Sequence, residues 1–100
     1  MIKHIVLWKL KDFAEGATKQ QNALKIKAML EDMLGKIPGM LKLEVGLNFE
    51  KSSDAADISL YTEFESREAL DAYQIHPAHM PAKKIIPLVR MERRVADYEA

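Results

Sequence analysis

The segment LKLEVGLNF, residues 41–49, decides the fold. It alternates. Leu41, Leu43, Val45, Leu47 and Phe49 fall on one face of an extended chain, and Lys42, Glu44, Gly46 and Asn48 on the other. This is the pattern of a half-buried strand, because successive side chains of a strand point to opposite faces. A polar connection, Glu50–Ala56, leads to a second alternating run over Asp57–Phe64, with Ile58, Leu60, Thr62 and Phe64 together. Two such runs joined by a polar loop predict a pair of neighbouring strands.

A helix is expected on either side of this pair. Upstream, Thr18 and Gln21 have the spacing of a capping box, in which each side chain satisfies a free N–H of the first turn. Ala23, Ile26, Leu30, Met33 and Ile37 then form one apolar stripe, with Gly35 and Pro38 expected to end the helix. Downstream, Ser66 caps a second helix whose inward face holds Ala69, Leu70 and Tyr73. Pro77 biases His76 away from helical geometry, so this helix should stop near Ile75, with a short helical turn before Pro87.

The ends of the chain read as strands. Ile2–Leu10 is apolar on both faces, Val6 and Trp8 on one and Ile5 and Leu7 on the other, and Lys11–Ala17 is a loop containing Gly16. Leu88–Tyr98 is the last strand, with Arg90 and Arg94 on one face and Arg93 on the other. The order β-α-β-β-α-β is the split βαβ arrangement. It predicts an α+β fold, a four-stranded antiparallel sheet with both helices on one face. The other face mixes Ile5, Leu7, Tyr61 and Ala96 with Glu44, Glu63, Arg90 and Glu92. One chain has no element left to cover it, so a homodimer packed sheet to sheet is expected.

Composition sets the limits. One hundred residues suit a single domain over 1–100. Fifteen basic and fifteen acidic residues give zero formal charge, which argues against nucleic-acid and membrane-surface partners. The absence of cysteine removes disulfides, thiolate nucleophiles and Cys-ligated metals. The apolar run Ile5–Trp8 is too short for a signal sequence, and a cytoplasmic protein is expected.

Several segments together carry a resemblance: MIKHIVLWKLK at the start, IPGM, FES, AYQIHPAH over residues 72–79, and the terminal VADYE. The chain resembles the stress-responsive dimeric α/β barrel family. That resemblance implies a ferredoxin-like subunit and a barrel made by two sheets packed together, with helices outside. The family includes plant polyketide cyclases of the olivetolic acid type, in which a His and a Tyr serve as acid–base pair in an aldol ring closure. The matching residues here are His79 and Tyr73, with His4 matching a further His on the first strand. Ile58 stands where the cyclases carry a His on the third strand. An isoleucine lines a pocket but cannot polarise a carbonyl.

The chemistry of these residue types fits that implication. A histidine titrates near neutrality and acts as general base, and a phenol donates to a developing oxyanion. Around Tyr73 and His79 the expected binding wall is His4, Val6, Trp8, Ile58, Leu60 and His76. Its ligand would be a small apolar or aromatic molecule bearing a carbonyl or hydroxyl. The competing reading has His76 and His79 simply closing the end of the second helix. Three functional classes stand open: a cyclase-like lyase, a non-catalytic binding or stress-protection protein, and a haem or monooxygenase-type enzyme with His76 or His79 as axial ligand. A metal site is not expected, since Pro77 disturbs the spacing of His76 and His79; nor is a bound cofactor.

Overall fold

The computed structural model describes residues 1–100. Its main sheet has four antiparallel strands: β1 (Ile2–Leu10), β4 (Met40–Leu47), β5 (Ile58–Phe64) and β6 (Arg90–Glu99), in the order β4-β5-β1-β6. A two-residue hairpin, β2 (Phe13–Ala14) and β3 (Ala17–Thr18), lies between β1 and the first helix, within the stretch expected as loop. Glu15 and Gly16 both have positive φ at its tip, as a two-residue turn of this hand requires. Helix α1 spans Lys19–Glu31, α2 spans Arg67–Gln74, and α3 spans Met80–Val89 after a single 3₁₀ turn at Pro77–His79. This is the expected α+β, ferredoxin-like arrangement with a third helix added.

Both expected caps form. Thr18 Oγ1 accepts from Gln21 N while Thr18 N donates to Gln21 Oε1, and Ser66 Oγ accepts from Ala69 N. The stripe of α1 is buried from Ala23 to Ile37, but the helix itself stops at Glu31. Met33 and Ile37 reach the core from the following turns, in which Gly35 adopts a positive φ.

The core lies between the helices and one face of the sheet. On β1 the even residues from Ile2 to Leu10 are buried, and opposite them on β5 lie Ile58, Leu60, Thr62 and Phe64. The odd positions form the other face: Ile5 and Leu7, with Tyr61 and Ala96 across from Ile5 and Arg94 across from Leu7. No element of the chain covers this face, and Leu7 is 40% exposed on it.

Three expectations are corrected. Leu41 does not join the buried face of β4: Met40 pairs with Phe64 and Lys42 with Glu63, so Leu41 is an extra, bulged residue and points outward. Phe49 lies beyond the end of the strand and is 92% exposed. The last strand begins at Arg90 rather than Leu88, because α3 runs through Pro87 to Val89. Pro87 lacks an N–H for the helical ladder, but it sits on the solvent side of the last turn, with Ala82, Ile86 and Val89 facing inward.

Candidate functional site

A cleft of about 370 Å³ opens where the C-terminal end of α2, the 3₁₀ turn and α3 lean over β1 and β6. Its apolar floor is Val6, Trp8, Leu60 and Ile86, and its polar groups include His4, Tyr73 and His79. Both proposed acid–base residues and four of the six expected wall residues therefore meet in one place. Ile58 and His76 do not line it. Ile58 is completely buried beside Trp8 at the far end of the sheet. His76 caps the 3₁₀ turn, its Nδ1 accepting from Ala78 N at 3.0 Å. His76 thus caps the 3₁₀ turn, while His79 both bonds a carbonyl at the end of α2 and lines the cleft.

Local sequence explains the placement. Tyr73 follows Leu70 by three positions, so it sits on the inward face of α2 in its last turn. His76–Pro77 breaks the helix, and the tight 3₁₀ turn brings His79 back under the ring of Tyr73. The two rings stack at 4.2 Å between centroids and 12° between planes. His4 meets the edge of Tyr73 at 5.9 Å.

The hydrogen bonds fix the protonation pattern. His79 Nδ1 lies 3.2 Å from the carbonyl oxygen of Tyr73. A carbonyl only accepts, so Nδ1 carries the proton and Nε2 keeps its lone pair. Burial pushes the His79 pKa down to about 4; nearby Lys83, His4 and Arg93 push the same way, and the Tyr73 carbonyl only partly opposes them. His79 is therefore a neutral imidazole at neutral pH. Burial likewise raises the Tyr73 phenol, which stays protonated as a donor. His4 Nδ1 donates to the carboxylate of Asp97, its register partner on β6.

Two buried donors are left over. Tyr73 OH and Trp8 Nε1 find no hydrogen-bond partner in the chain. Buried donors normally are paired, and an unmade bond costs about 1–3 kcal/mol. Here both belong to residues that line the cleft.

The cleft also has a basic side. Lys83 on α3, and Arg90 and Arg93 on β6, complete its rim. Lys83 is tied down by its Nζ donating to the carbonyl of Gln74. The expected pairing of Arg90 with Arg94 is overturned by a bulge. Lys9 faces Glu92 but Leu10 faces Arg90, so Met91 is the extra residue. The phase of β6 shifts there, and Arg90 joins Arg93 on the cleft side while Arg94 stays on the open face with Leu7. The helical spacing of Ala82, Ile86 and Val89 is the signal that reveals α3 and hence Lys83. No pattern in the sequence announces the bulge.

No three or more His, Cys, Asp or Glu side chains come together in a metal-binding group. No helix is long and apolar enough to cross a membrane.

The model of the stress responsive A/B barrel domain matches residues 2–100. The chain belongs to that family. Among solved structures, a dimeric ferredoxin-like protein of unknown function from Bacteroides fragilis is 32% identical. Its match covers 99% of this chain and 95% of that one, with a TM-score of 0.82. A dimeric ferredoxin-like protein from Thermobifida fusca is 21% identical, covering 99% and 90%, with a TM-score of 0.83. The hydroxynitrile lyase of Passiflora edulis shares the fold at 18% identity, covering 97% and 90%, with a TM-score of 0.75. No curated protein matches the chain.

The burial of neutral His79 has a consequence for stability. In the unfolded chain the imidazole titrates near its ordinary value of 6.5, and in the folded chain only at about 4. Between those values the unfolded state binds more protons, so folding weakens as pH falls. The full contribution is present above pH 6.5 and is lost by pH 4, amounting to about 3 kcal/mol. Thermal unfolding at fixed protein concentration should show this loss. A His79→Gln variant should show a distinctly flatter profile over the same range. Parallel profiles would mean that His79 is hydrated in the folded protein.

Proposed function

We propose that the protein is a homodimer, joined through the open sheet faces, in which each subunit's cleft takes a small apolar or aromatic molecule bearing a carbonyl or hydroxyl. The observation that carries this is the pair of buried donors without partners, Tyr73 OH and Trp8 Nε1, beside a neutral imidazole. A ligand oxygen that reached either donor would supply the partner it lacks.

Such a site supports lyase or cyclase chemistry. His79 Nε2 takes a proton from the carbon next to the bound carbonyl. The electron pair moves onto the carbonyl oxygen, where Tyr73 OH stabilises the enolate. The enolate carbon then attacks a second carbonyl of the same molecule, and the imidazolium returns its proton to the new alkoxide. The apolar floor of Val6, Trp8, Leu60 and Ile86 keeps water away from the enolate.

One observation favours a second reading, that of a non-catalytic binding protein. A general base works best with a pKa near the working pH, and His79 lies well below it. Hydrogen–deuterium exchange separates the two. Acetophenone in deuterated buffer should lose its methyl protons faster with the protein than without it. His79→Ala should abolish the acceleration, and Tyr73→Phe should reduce it by about 10²-fold. Acetophenone that binds without accelerated exchange would leave the binding protein as the correct reading.

A further inference from the structure

The rim of the cleft has one sign of charge. Lys83, Arg90 and Arg93 stand on it, and none of the residues lining it is a carboxylate. This is unusual in a chain whose charges balance at fifteen of each sign. Two of the three cations are held there by specific structure. Lys83 is anchored on the end of α2, and Arg90 reaches the rim only because Met91 is bulged out of β6. Without the bulge, Arg90 would point to the open face of the sheet. β-Bulges commonly re-aim a side chain in this way beside a binding site. The nearest acid on the same side of β6, Asp97, is occupied by His4.

We infer that the ligand of this cleft is an anion, an aromatic or enolisable carboxylic acid whose carboxylate sits between Lys83, Arg90 and Arg93 while its apolar body lies on Val6 and Leu60. This rests on the cleft being the ligand site and adds the charge of the ligand. A carboxylate suits the place because guanidinium groups grip it with two parallel hydrogen bonds. Tyr73 OH and Trp8 Nε1, the two buried donors without partners, belong to residues lining the same cleft. A negative charge on the rim also acts on the base. It offsets the positive field of Lys83 and Arg93 at His79, and draws the basicity of the imidazole back toward neutrality when the ligand is bound. Ligand charge and proton transfer are coupled through the same two cations.

The test is binding of benzoate and of benzamide, which share the ring and differ in charge, measured by Trp8 fluorescence and calorimetry on the wild-type protein. Trp8 is the single tryptophan of the chain and lines the cleft. Benzoate is expected to bind at least tenfold more tightly than benzamide, and to weaken as salt is raised. The double variant Arg90→Gln, Arg93→Gln should lose that preference. Lys83→Gln should lose part of it. Benzamide binding as tightly as benzoate, with Trp8 responding to both, would overturn the anion assignment and leave the cleft as a neutral-ligand site. Neither compound binding at millimolar concentration would overturn the cleft itself.

Discussion

A glutamate in place of Leu7 should leave the protein monomeric. Leu7 lies on an inner strand of the sheet, with Ser59 on one side and Arg94 on the other, on the face that no helix covers. In the single chain a carboxylate there meets water and the Arg94 guanidinium, so the subunit has no reason to unfold on its account. Between two sheets the same carboxylate is stripped of water, and Leu7→Glu should weaken association by about 3–5 kcal/mol. Light scattering coupled to size exclusion should give about twice 11.4 kDa for the wild type and a mass near 11.4 kDa for the variant at micromolar concentration. Leu24→Glu places the same charge on an exposed position of α1 and should stay dimeric. A wild-type monomer, or a Leu7→Glu variant as dimeric as Leu24→Glu, would remove the sheet-to-sheet barrel.

Tyr73 separates packing from chemistry in two substitutions. Its ring is almost wholly buried, stacked on His79 and tilted against Phe64 at 5.2 Å. Tyr73→Ala should cost about 3–5 kcal/mol in denaturant unfolding, as large-to-small changes in a core do. Tyr73→Phe keeps the ring and removes only a hydroxyl that has no partner in the chain. It should change stability by less than about 0.5 kcal/mol, or raise it, because no acceptor is left orphaned. A loss of about 1–3 kcal/mol in Tyr73→Phe would show that the hydroxyl is bonded within the protein and is no donor to a ligand.

Much of this architecture can be read from the chain because its signals are local. The alternation over residues 57–64, the Thr18–Gln21 and Ser66 caps and the break at His76–Pro77 each act within a few residues, and each appears where expected. Tyr73 and His79 fall together for the same reason, one at the end of a helix and the other one tight turn later. What escapes is set by contacts distant in sequence or by competing local signals. The bulges at Leu41 and Met91 depend on register between strands, which no single strand encodes. The first exposes Leu41, and the second delivers Arg90 to the cleft. Pro87 signals a break in α3, since proline breaks helices in their interior, but it is tolerated here at an exposed last turn. His76 and His79 both bond backbone at this junction, and only His79 is folded inward to line the cleft.

The proposed chemistry rests on His79 as a neutral base, held by the Tyr73 carbonyl and turned to a ligand. The most direct measurement is nitrogen-15 NMR of protein labelled at its three histidines, titrated with pH and then with acetophenone. One imidazole, assigned to His79 by its absence in His79→Gln, should remain neutral with its proton on Nδ1 down to about pH 4. Its Nε2 signal should move when acetophenone is added, while that of His76 should not. A His79 that titrates near 6.5 and ignores the ligand would leave the cleft without its base.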